Sequence, residues 1–183
     1  MHSRIIYLTG FMTSGKSTIG PILGNVLGWD FLDLDYEIEN HEKMSVDEIF
    51  EKNGESYFRE KEKLMLGEIS KRKNLVVSLG GGTISWDDNI SVIKKSGKLI
   101  YLKAKPETIY LRIKNKINRP LFKDLVLKNA SKEDFIKKIL EYLNKREVFY
   151  NQADLVINTD NIDIGKTVDI IANKISKWTN EQN

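Results

Sequence analysis

The chain has 183 residues, 40% hydrophobic and 30% charged, which suffices for one domain with a packed core but not for two full-sized domains. Its 29 Lys and Arg nearly balance its 26 Asp and Glu, so the net charge of +3 gives no case for binding to nucleic acid or membranes. The absence of cysteine excludes disulfides, thiolate zinc sites and a cysteine nucleophile. We expect a single domain over 1–183 and a cytoplasmic location.

The first part of the chain alternates between strand and helix patterns. Residues 5–8 form a short apolar run before a glycine-containing loop, which is typical of a buried strand. Apolar residues at helical spacing over 19–27 predict a helix that ends at Gly28. An extended run over 29–34 is followed by a helical pattern to about Glu42.

The remainder of the chain repeats this alternation. Ser45, with Glu48 three residues later, is a candidate helix N-cap, and another helix is expected after Gly54. Further strands are predicted at 75–79, 98–102 and 154–157. Strands alternating with helices predict an α/β fold whose parallel sheet carries helices on both faces.

Residues 10–17 carry the clearest chemical motif. They read Gly-Phe-Met-Thr-Ser-Gly-Lys-Ser and fit the pattern G-x-x-x-x-G-K-[ST] between the first strand and the first helix. Backbone N–H groups of such a loop point at phosphate oxygens, and the helix N-terminus adds positive potential. Lys16 and Ser17 are the side chains expected at the β- and γ-phosphates and at Mg²⁺. The motif predicts a nucleotide-binding loop, with a plain glycine-rich turn as the alternative.

Two aspartates are candidates for the metal and the acceptor. Neither 75–79 nor 98–102 ends in the aspartate that motor ATPases place after a buried strand. Alternation along the extended run sends the carboxylates of Asp33 and Asp35 to one side, at the strand end where open α/β sheets bind ligands. Solvated charges or a helix N-cap are the alternative interpretation.

Two arginines fall on apolar helix faces. Arg59 and Glu62 extend an apolar stripe seven residues before Leu66 and Ile69, so these charges are expected to face a cleft. Arg146 lies on the apolar face of a later helix in the same way. Because arginine suits bidentate recognition of carboxylate or phosphate, the pair suggests an anionic acceptor. Snorkelling at the edge of the core is the competing explanation.

Two further segments point to the same site. The helical pattern fades over about 115–129, so this charged segment is a candidate mobile loop, in which Arg119 could cover the transferring phosphate. An exposed loop arginine would explain Arg119 equally well. Gly80, Gly81 and Gly82 follow a buried strand and would let the backbone approach a ligand and present N–H donors, although a tight turn also uses glycine.

These segments, taken together, resemble those of the shikimate kinase family. The segments in chain order are G-F-M-x-S-G-K-S-T-I-G, F-x-D-x-D-x-x-I-E, S-V-x-E-I-F-x-x-x-G-E-x-x-F-R-x-x-E, S-L-G-G-G, R-P-L and R-x-x-x-Y-x-x-A-D. The resemblance implies a P-loop fold of the nucleoside-monophosphate-kinase type, with a five-stranded parallel sheet flanked by helices. It also implies phosphorylation of the 3-hydroxyl of shikimate by ATP, within aromatic amino acid biosynthesis.

The resemblance implies a role for each candidate residue. Nucleotide binding falls to Gly10, Ser14, Gly15, Lys16, Ser17, Thr18, Arg112 and Arg119, with Arg112 at the adenine and Arg119 on the lid. Mg²⁺ is expected at Ser17 and, through water, at Asp33, with Ser78 nearby. Shikimate binding falls to Asp35, Arg59, Gly80, Gly81, Gly82 and Arg146. The catalytic residues would be Asp35 as hydrogen-bond partner or base, Lys16 and Arg119.

By the same resemblance, the substrate-binding part covers about 35–62 and the lid about 115–129.

The chain departs from the family pattern at three places. Thr13 stands where the family usually has glycine, Lys43 replaces a common glycine, and Glu147-Val148 replaces a residue followed by proline.

The sequence therefore predicts a monomeric kinase for shikimate that uses ATP and Mg²⁺ and binds neither nucleic acid nor membrane. A related kinase for gluconate or a nucleoside monophosphate is the nearest alternative. A nucleotide-binding module without turnover is another, although all the site residues are present.

Overall fold

The structure is a computed structural model that describes residues 5–86, 88–117 and 119–180. In these ranges five parallel strands form one sheet in the order β2-β3-β1-β4-β5. The strands are β1 Ile5–Thr9, β2 Asp30–Asp33, β3 Leu75–Ser78, β4 Lys98–Lys103 and β5 Leu155–Asn158. The predicted α/β class and parallel sheet are confirmed.

Helices cover both faces of this sheet. They are α1 Lys16–Leu27, α2 Leu34–Glu42, α3 Val46–Ile69, α4 Asn89–Ser96, α5 Pro106–Ile113, α6 Pro120–Leu127, α7 Lys132–Tyr150 and α8 Ile164–Asn180. A short 3-10 helix, Thr83–Ser85, follows β3. Within the described ranges, none of these helices has both the length and the apolar character needed to cross a bilayer.

The central strand β1 is buried on both faces of the sheet. All five of its residues are buried, and side chains alternate between the faces. Ile5 and Tyr7 join a core cluster with α3, α5 and α7, whereas Ile6 and Leu8 join a second cluster with α1 and α8.

The predicted helix signals are confirmed at two places. Helix α1 ends at Gly28, whose φ of 65° is left-handed and whose N–H donates to the last turn. Ser45 caps α3 in a reciprocal capping box with Glu48. The helix expected after Gly54 is confirmed: Gly54 is non-helical (φ 83°, ψ 167°) and separates two helical stretches of α3.

The structure corrects the placement of Asp35. Strand β2 ends at Asp33, and Asp35 lies in the first turn of α2, not on an extended run. Strand alternation therefore does not bring the two carboxylates together; the strand-to-helix junction does. Asp33 occupies the N-cap position but its side chain makes no capping hydrogen bond.

The segment expected to be a loop contains helix α6, so the loop prediction is wrong for Pro120–Leu127. Proline suits the first position of a helix, and Phe122 is completely buried three residues after Arg119. The Phe122 ring lies 6.3 Å from the Phe11 ring and 6.1 Å from the Phe135 ring, centroid to centroid. This packing anchors α6 to the hydrophobic core.

Candidate active site

The loop between β1 and α1 leaves several backbone donors free. Gly10 has a φ of 144°, and a Cβ there would lie 2.5 Å from the Leu102 carbonyl oxygen, so only glycine fits. The N–H groups of Gly15, Lys16 and Ser17 have no acceptor within the described ranges. Unpaired N–H groups at a helix N-terminus form an anion-binding site, as the motif predicts.

Lys16 is held inside this loop. Its Nζ donates to the carbonyl oxygens of Gly10 (2.8 Å) and Phe11 (3.2 Å). Burial lowers the pKa of Lys16 to about 8; the carboxylates of Asp35 and Asp33 oppose this shift, whereas nearby arginines add to it. The ammonium group therefore remains largely charged at neutral pH and lies where a phosphate would interact with it.

Two side-chain oxygens lie next to the loop. The Ser17 hydroxyl donates to Asp33 Oδ2 at 3.2 Å. Asp33 is paired in register with Ser78 of β3, so both strands end at the same level beside the loop. This pair suits a hard divalent cation, and among the described residues no group of three or more His or acidic side chains could hold a metal. A cation here would need water or phosphate oxygens to complete its coordination.

Asp35 is a half-buried carboxylate facing the glycine turn. A Cβ added at Gly80 would lie 2.6 Å from Asp35 Oδ1. Burial, followed by the negative charges of Asp33 and Glu62, raises the pKa of Asp35 to about 6, although Lys16 and Arg59 act in the opposite direction. Such a group is ionised at neutral pH and more basic than an ordinary aspartate.

Arg59 is fixed by two carboxylates. Its Nη1 donates to Glu62 Oε2 (2.8 Å), while Nε and Nη2 donate to Glu55 Oε1 (3.3 and 3.2 Å). Glu62 is fully buried and accepts a second hydrogen bond from Thr83 Oγ1 at 2.5 Å. The expectation that both charges face a cleft is confirmed for Arg59 and wrong for Glu62, which lies behind it. Glu62 orients the arginine.

The glycine turn lies between Arg59 and Arg146. A Cβ at Gly82 would approach Arg59 Nη2 to 2.5 Å, and one at Gly81 would lie 3.0 Å from Arg146 Nη1. The N–H groups of Gly80, Gly81 and Gly82 have no acceptor in the described part of the chain. Buried N–H groups are almost always paired, so the unpaired N–H groups of the buried Gly80 and Gly82 favour a ligand at this turn, and that of the partly exposed Gly81 is also free to bind one.

Arg112 and Arg119 lie beside the phosphate loop. Arg112 Nη1 donates to the carbonyl oxygen of Thr13 at 2.8 Å. Arg119 precedes α6 at its N-cap position, and its positive charge contributes to the lowered pKa of Lys16. Its buried Nε has no partner within the described ranges.

One cleft of about 970 Å³ connects these groups. It runs from Arg112, Thr159 and Ile164, along the phosphate loop, to the glycine turn and the apolar wall formed by Phe50 and Phe58. The structure brings into the cleft Ser14, Gly15, Lys16, Ser17, Thr18, Asp33, Asp35, Arg59, Gly80, Gly81, Gly82, Arg112, Arg119 and Arg146. Gly10, the first residue of the loop, does not line the cleft, but its carbonyl oxygen accepts a hydrogen bond from Lys16.

The comparisons with known proteins agree with this geometry. The family described as "Shikimate kinase" matches residues 12–178. A shikimate kinase from Chlorobaculum parvum is 46% identical over 176 residues, which cover 96% of this chain and 94% of the relative.

The chain belongs to the shikimate kinase family.

Solved structures of family members agree with this assignment. The shikimate kinase from Bacteroides thetaiotaomicron superposes with a TM-score of 0.82 at 30% identity, covering 94% of this chain and 98% of that one. The enzyme from Acinetobacter baumannii, solved in complex with shikimate, gives a TM-score of 0.80 at 34% identity, covering 99% of this chain and 95% of that one.

Two departures from the shikimate kinase pattern have local compensations. Thr13 adopts a φ of 62°, which is strained for a β-branched residue, and the Arg112 hydrogen bond to its carbonyl oxygen supports this conformation. Without the proline, α7 continues through Val148 to Tyr150, and Glu147 pairs with Lys103 of β4 at 2.5 Å.

Sequence reasoning missed three supporting residues of the site. Glu55 and Thr83 complete the Arg59 network, and Tyr150 donates to the Gly81 carbonyl oxygen at 2.7 Å. Glu55 lies four residues before Arg59, a spacing that predicts an ion pair on a helix. No spacing signal connects Thr83 or Tyr150 to partners 21 and 69 residues away.

Proposed function

We propose that this protein transfers the γ-phosphoryl group of ATP to the 3-hydroxyl of shikimate, a step in the biosynthesis of aromatic amino acids. One observation carries the proposal: a single cleft joins a phosphate loop to two arginines that face a glycine turn. Likeness over nearly the full length to proteins named shikimate kinase, one of them solved with shikimate, supports this acceptor.

ATP lies along the phosphate loop in this proposal. The loop N–H groups and Lys16 bind the β- and γ-phosphates, and Arg112 lies beside the base. The proposed nucleotide-binding residues are Gly10, Ser14, Gly15, Lys16, Ser17, Thr18, Arg112 and Arg119. Arg119 binds the transferring phosphate from the side of α6.

Ser17 and Asp33 fit a magnesium ion. Both side chains offer oxygen to the cleft at the end of the phosphate loop, and Asp33 has no capping hydrogen bond to lose. Ser17 would hold the ion directly and Asp33 through water, with nucleotide phosphates as the remaining ligands. When bound, the ion neutralises charge on the phosphate oxygens.

The acceptor occupies the other end of the cleft. Arg59 and Arg146 bind the shikimate carboxylate, and the N–H groups of the turn Gly80–Gly82 bind its oxygens. Asp35 receives the reacting hydroxyl. Because α3 carries Arg59 and α7 carries Arg146, binding of the carboxylate links two separate elements of the fold.

Transfer proceeds in line. The acceptor oxygen bonds to the γ-phosphorus while the bond from that phosphorus to the bridging oxygen of ADP breaks. Asp35, ionised above pH 6, accepts the hydroxyl proton. Lys16 and Arg119 offset the charge that develops on the equatorial oxygens. The residues contribute positioning and charge, with no covalent enzyme intermediate.

A coupled assay of ADP release tests this function. Purified protein receives MgATP with shikimate, gluconate or a nucleoside monophosphate in parallel, and mass spectrometry identifies the product. We expect ADP and shikimate 3-phosphate with shikimate alone. Turnover with another acceptor would make the chain a kinase for that compound, and no turnover with any acceptor would make it a binding module.

We also propose that the protein acts as a monomer in the cytoplasm. All the proposed site residues come from one chain and line one cleft, so the site does not need a second copy. Light scattering coupled to gel filtration measures the mass, for which we expect 21.1 kDa.

A further inference from the structure

Tyr150 connects the end of helix α7 to the glycine turn. It is the last residue of α7 and is completely buried, and it does not line the cleft. Its hydroxyl donates to the Gly81 carbonyl oxygen at 2.7 Å. Its ring lies 4.8 Å from the buried Tyr101 ring, at 30° between planes, so the phenol has little freedom to turn away.

The same phenol lies against Arg146. Burial raises the pKa of Tyr150, while the Arg146 charge and a hydrogen bond from its guanidinium act in the opposite direction. The two residues are four apart on one helix and therefore lie on the same face. Arg146 Nη1 and the Tyr150 hydroxyl lie 3.0 and 3.8 Å from the position that a Gly81 Cβ would occupy, so both groups are neighbours at the glycine turn.

The hydrogen bond to Gly81 sets the orientation of a donor. In a trans peptide the carbonyl of Gly81 and the N–H of Gly82 point in opposite directions, so fixing one fixes the other. Three consecutive glycines have no side chains with which to hold their own conformation, and glycine is the most flexible residue in the unfolded chain. Local N–H groups bind the carbonyl oxygens of the outer two glycines (Thr83 N to Gly80 O, 3.2 Å; Ser85 N to Gly82 O, 3.1 Å), whereas the middle carbonyl, that of Gly81, accepts from Tyr150 on another helix.

We propose that Tyr150 is a positioning residue for the acceptor, holding the Gly81–Gly82 peptide and Arg146 in the arrangement that binds the substrate carboxylate. This inference rests on the proposed function. Tyr150 does not touch either substrate; it acts through the turn and the arginine. Its loss should weaken acceptor binding and leave nucleotide binding and the chemical step almost unchanged.

Steady-state kinetics of Tyr150→Phe test this. We expect the shikimate KM to rise about tenfold, which matches the loss of one hydrogen bond, with the ATP KM and kcat within about twofold of wild type. Tyr7→Phe is the matched control, because Tyr7 is equally buried and bonds Ser96 Oγ at 2.7 Å, and neither residue lines the cleft. Tyr7→Phe should lower Tm without changing the KM for shikimate or the KM for ATP.

Two further substitutions keep the side-chain volume, in case Tyr150→Phe fails to fold. Tyr150→4-methylphenylalanine lacks a donor and should reproduce the raised KM. Tyr150→4-aminophenylalanine keeps an N–H at the same place and should restore a KM close to that of wild type.

Specific outcomes would overturn the inference. They are an unchanged shikimate KM, an equal rise in both KM values, or a rise in the control as large as in the variant. Failure of the proposed function is distinguishable, because wild-type protein would then release no ADP with shikimate.

Discussion

Replacing Asp35 by Asn removes a carboxylate that the fold holds at an energetic cost. In the protein without ligands its pKa is about 6, against an ordinary value of 3.8, chiefly because of burial. A difference of about two pKa units corresponds to roughly 3 kcal/mol at 1.36 kcal/mol per unit. Since Asp35 is only half-buried, solvent screening reduces this, and we expect Asp35→Asn to stabilise the apo-protein by about 1–2 kcal/mol at pH 7.5.

The stability gain should depend on pH in a defined direction. Between pH 3.8 and 6 the folded protein binds more protons at Asp35 than the unfolded chain does, so wild-type stability falls as pH rises through this window. Asn has no such dependence. The extra free energy of unfolding of the variant, relative to wild type, is therefore largest above about pH 6 and disappears below about pH 4.

Urea unfolding of both proteins at pH 4, 5, 6 and 7.5, without ligands, measures this difference. At pH 7.5 the variant should also melt about 2–8 °C higher. Asp47→Asn is the control, since Asp47 is an exposed carboxylate of the same cleft in the first turn of α3. It should leave stability within about 0.5 kcal/mol, or lower it slightly because a favourable helix-terminus charge is lost.

The same variant should lose turnover by about 10²- to 10⁴-fold while retaining ATP binding. Equal or lower stability of Asp35→Asn at pH 7.5 would refute the argument from burial. Turnover close to that of wild type would remove Asp35 from the role of base. The two results are independent, so stability and catalysis are tested separately by one substitution.

Three other substitutions address the rest of the cleft. Lys16→Ala should abolish ADP release at any shikimate concentration, and measurable transfer would contradict its phosphate role. Arg146→Ala should raise the shikimate KM about 10- to 100-fold without changing the ATP KM; it is cleaner than Arg59→Ala, which would leave a buried carboxylate unpaired and destabilise the fold. Phe122→Ala should cost about 3–5 kcal/mol in urea unfolding and increase proteolysis near Arg119, with protection by ligands if α6 covers the site; unchanged stability would contradict its anchoring role.

The phosphate loop could be predicted from sequence because its geometry is local. A strand, two glycines at fixed spacing and a helix start determine where Lys16 lies, whatever surrounds them. The buried face of α3 could also be predicted, because Arg59 lies seven residues before Leu66 and therefore on the same side of the helix. These features depend on residues close together in the chain.

Other features depend on packing that spacing does not reveal. Asp35 was assigned to a strand because alternation and a strand-to-helix junction look alike over five residues. Helix α6 is missed by the sequence analysis because its eight residues make only about two turns, too few to show a clear helical period, although Pro120 is a start signal. Tyr150 contacts Gly81 only because β3 and α7 come together in the folded chain.

The continuity of the cleft has a consequence for inhibitor design. Because Arg112 and the two arginines at the glycine turn line one cleft, a single linked molecule can reach both ends. Once one half of such a compound is bound, the linker holds the other half at a high effective concentration. The affinity of the linked compound can therefore exceed that of either half by orders of magnitude.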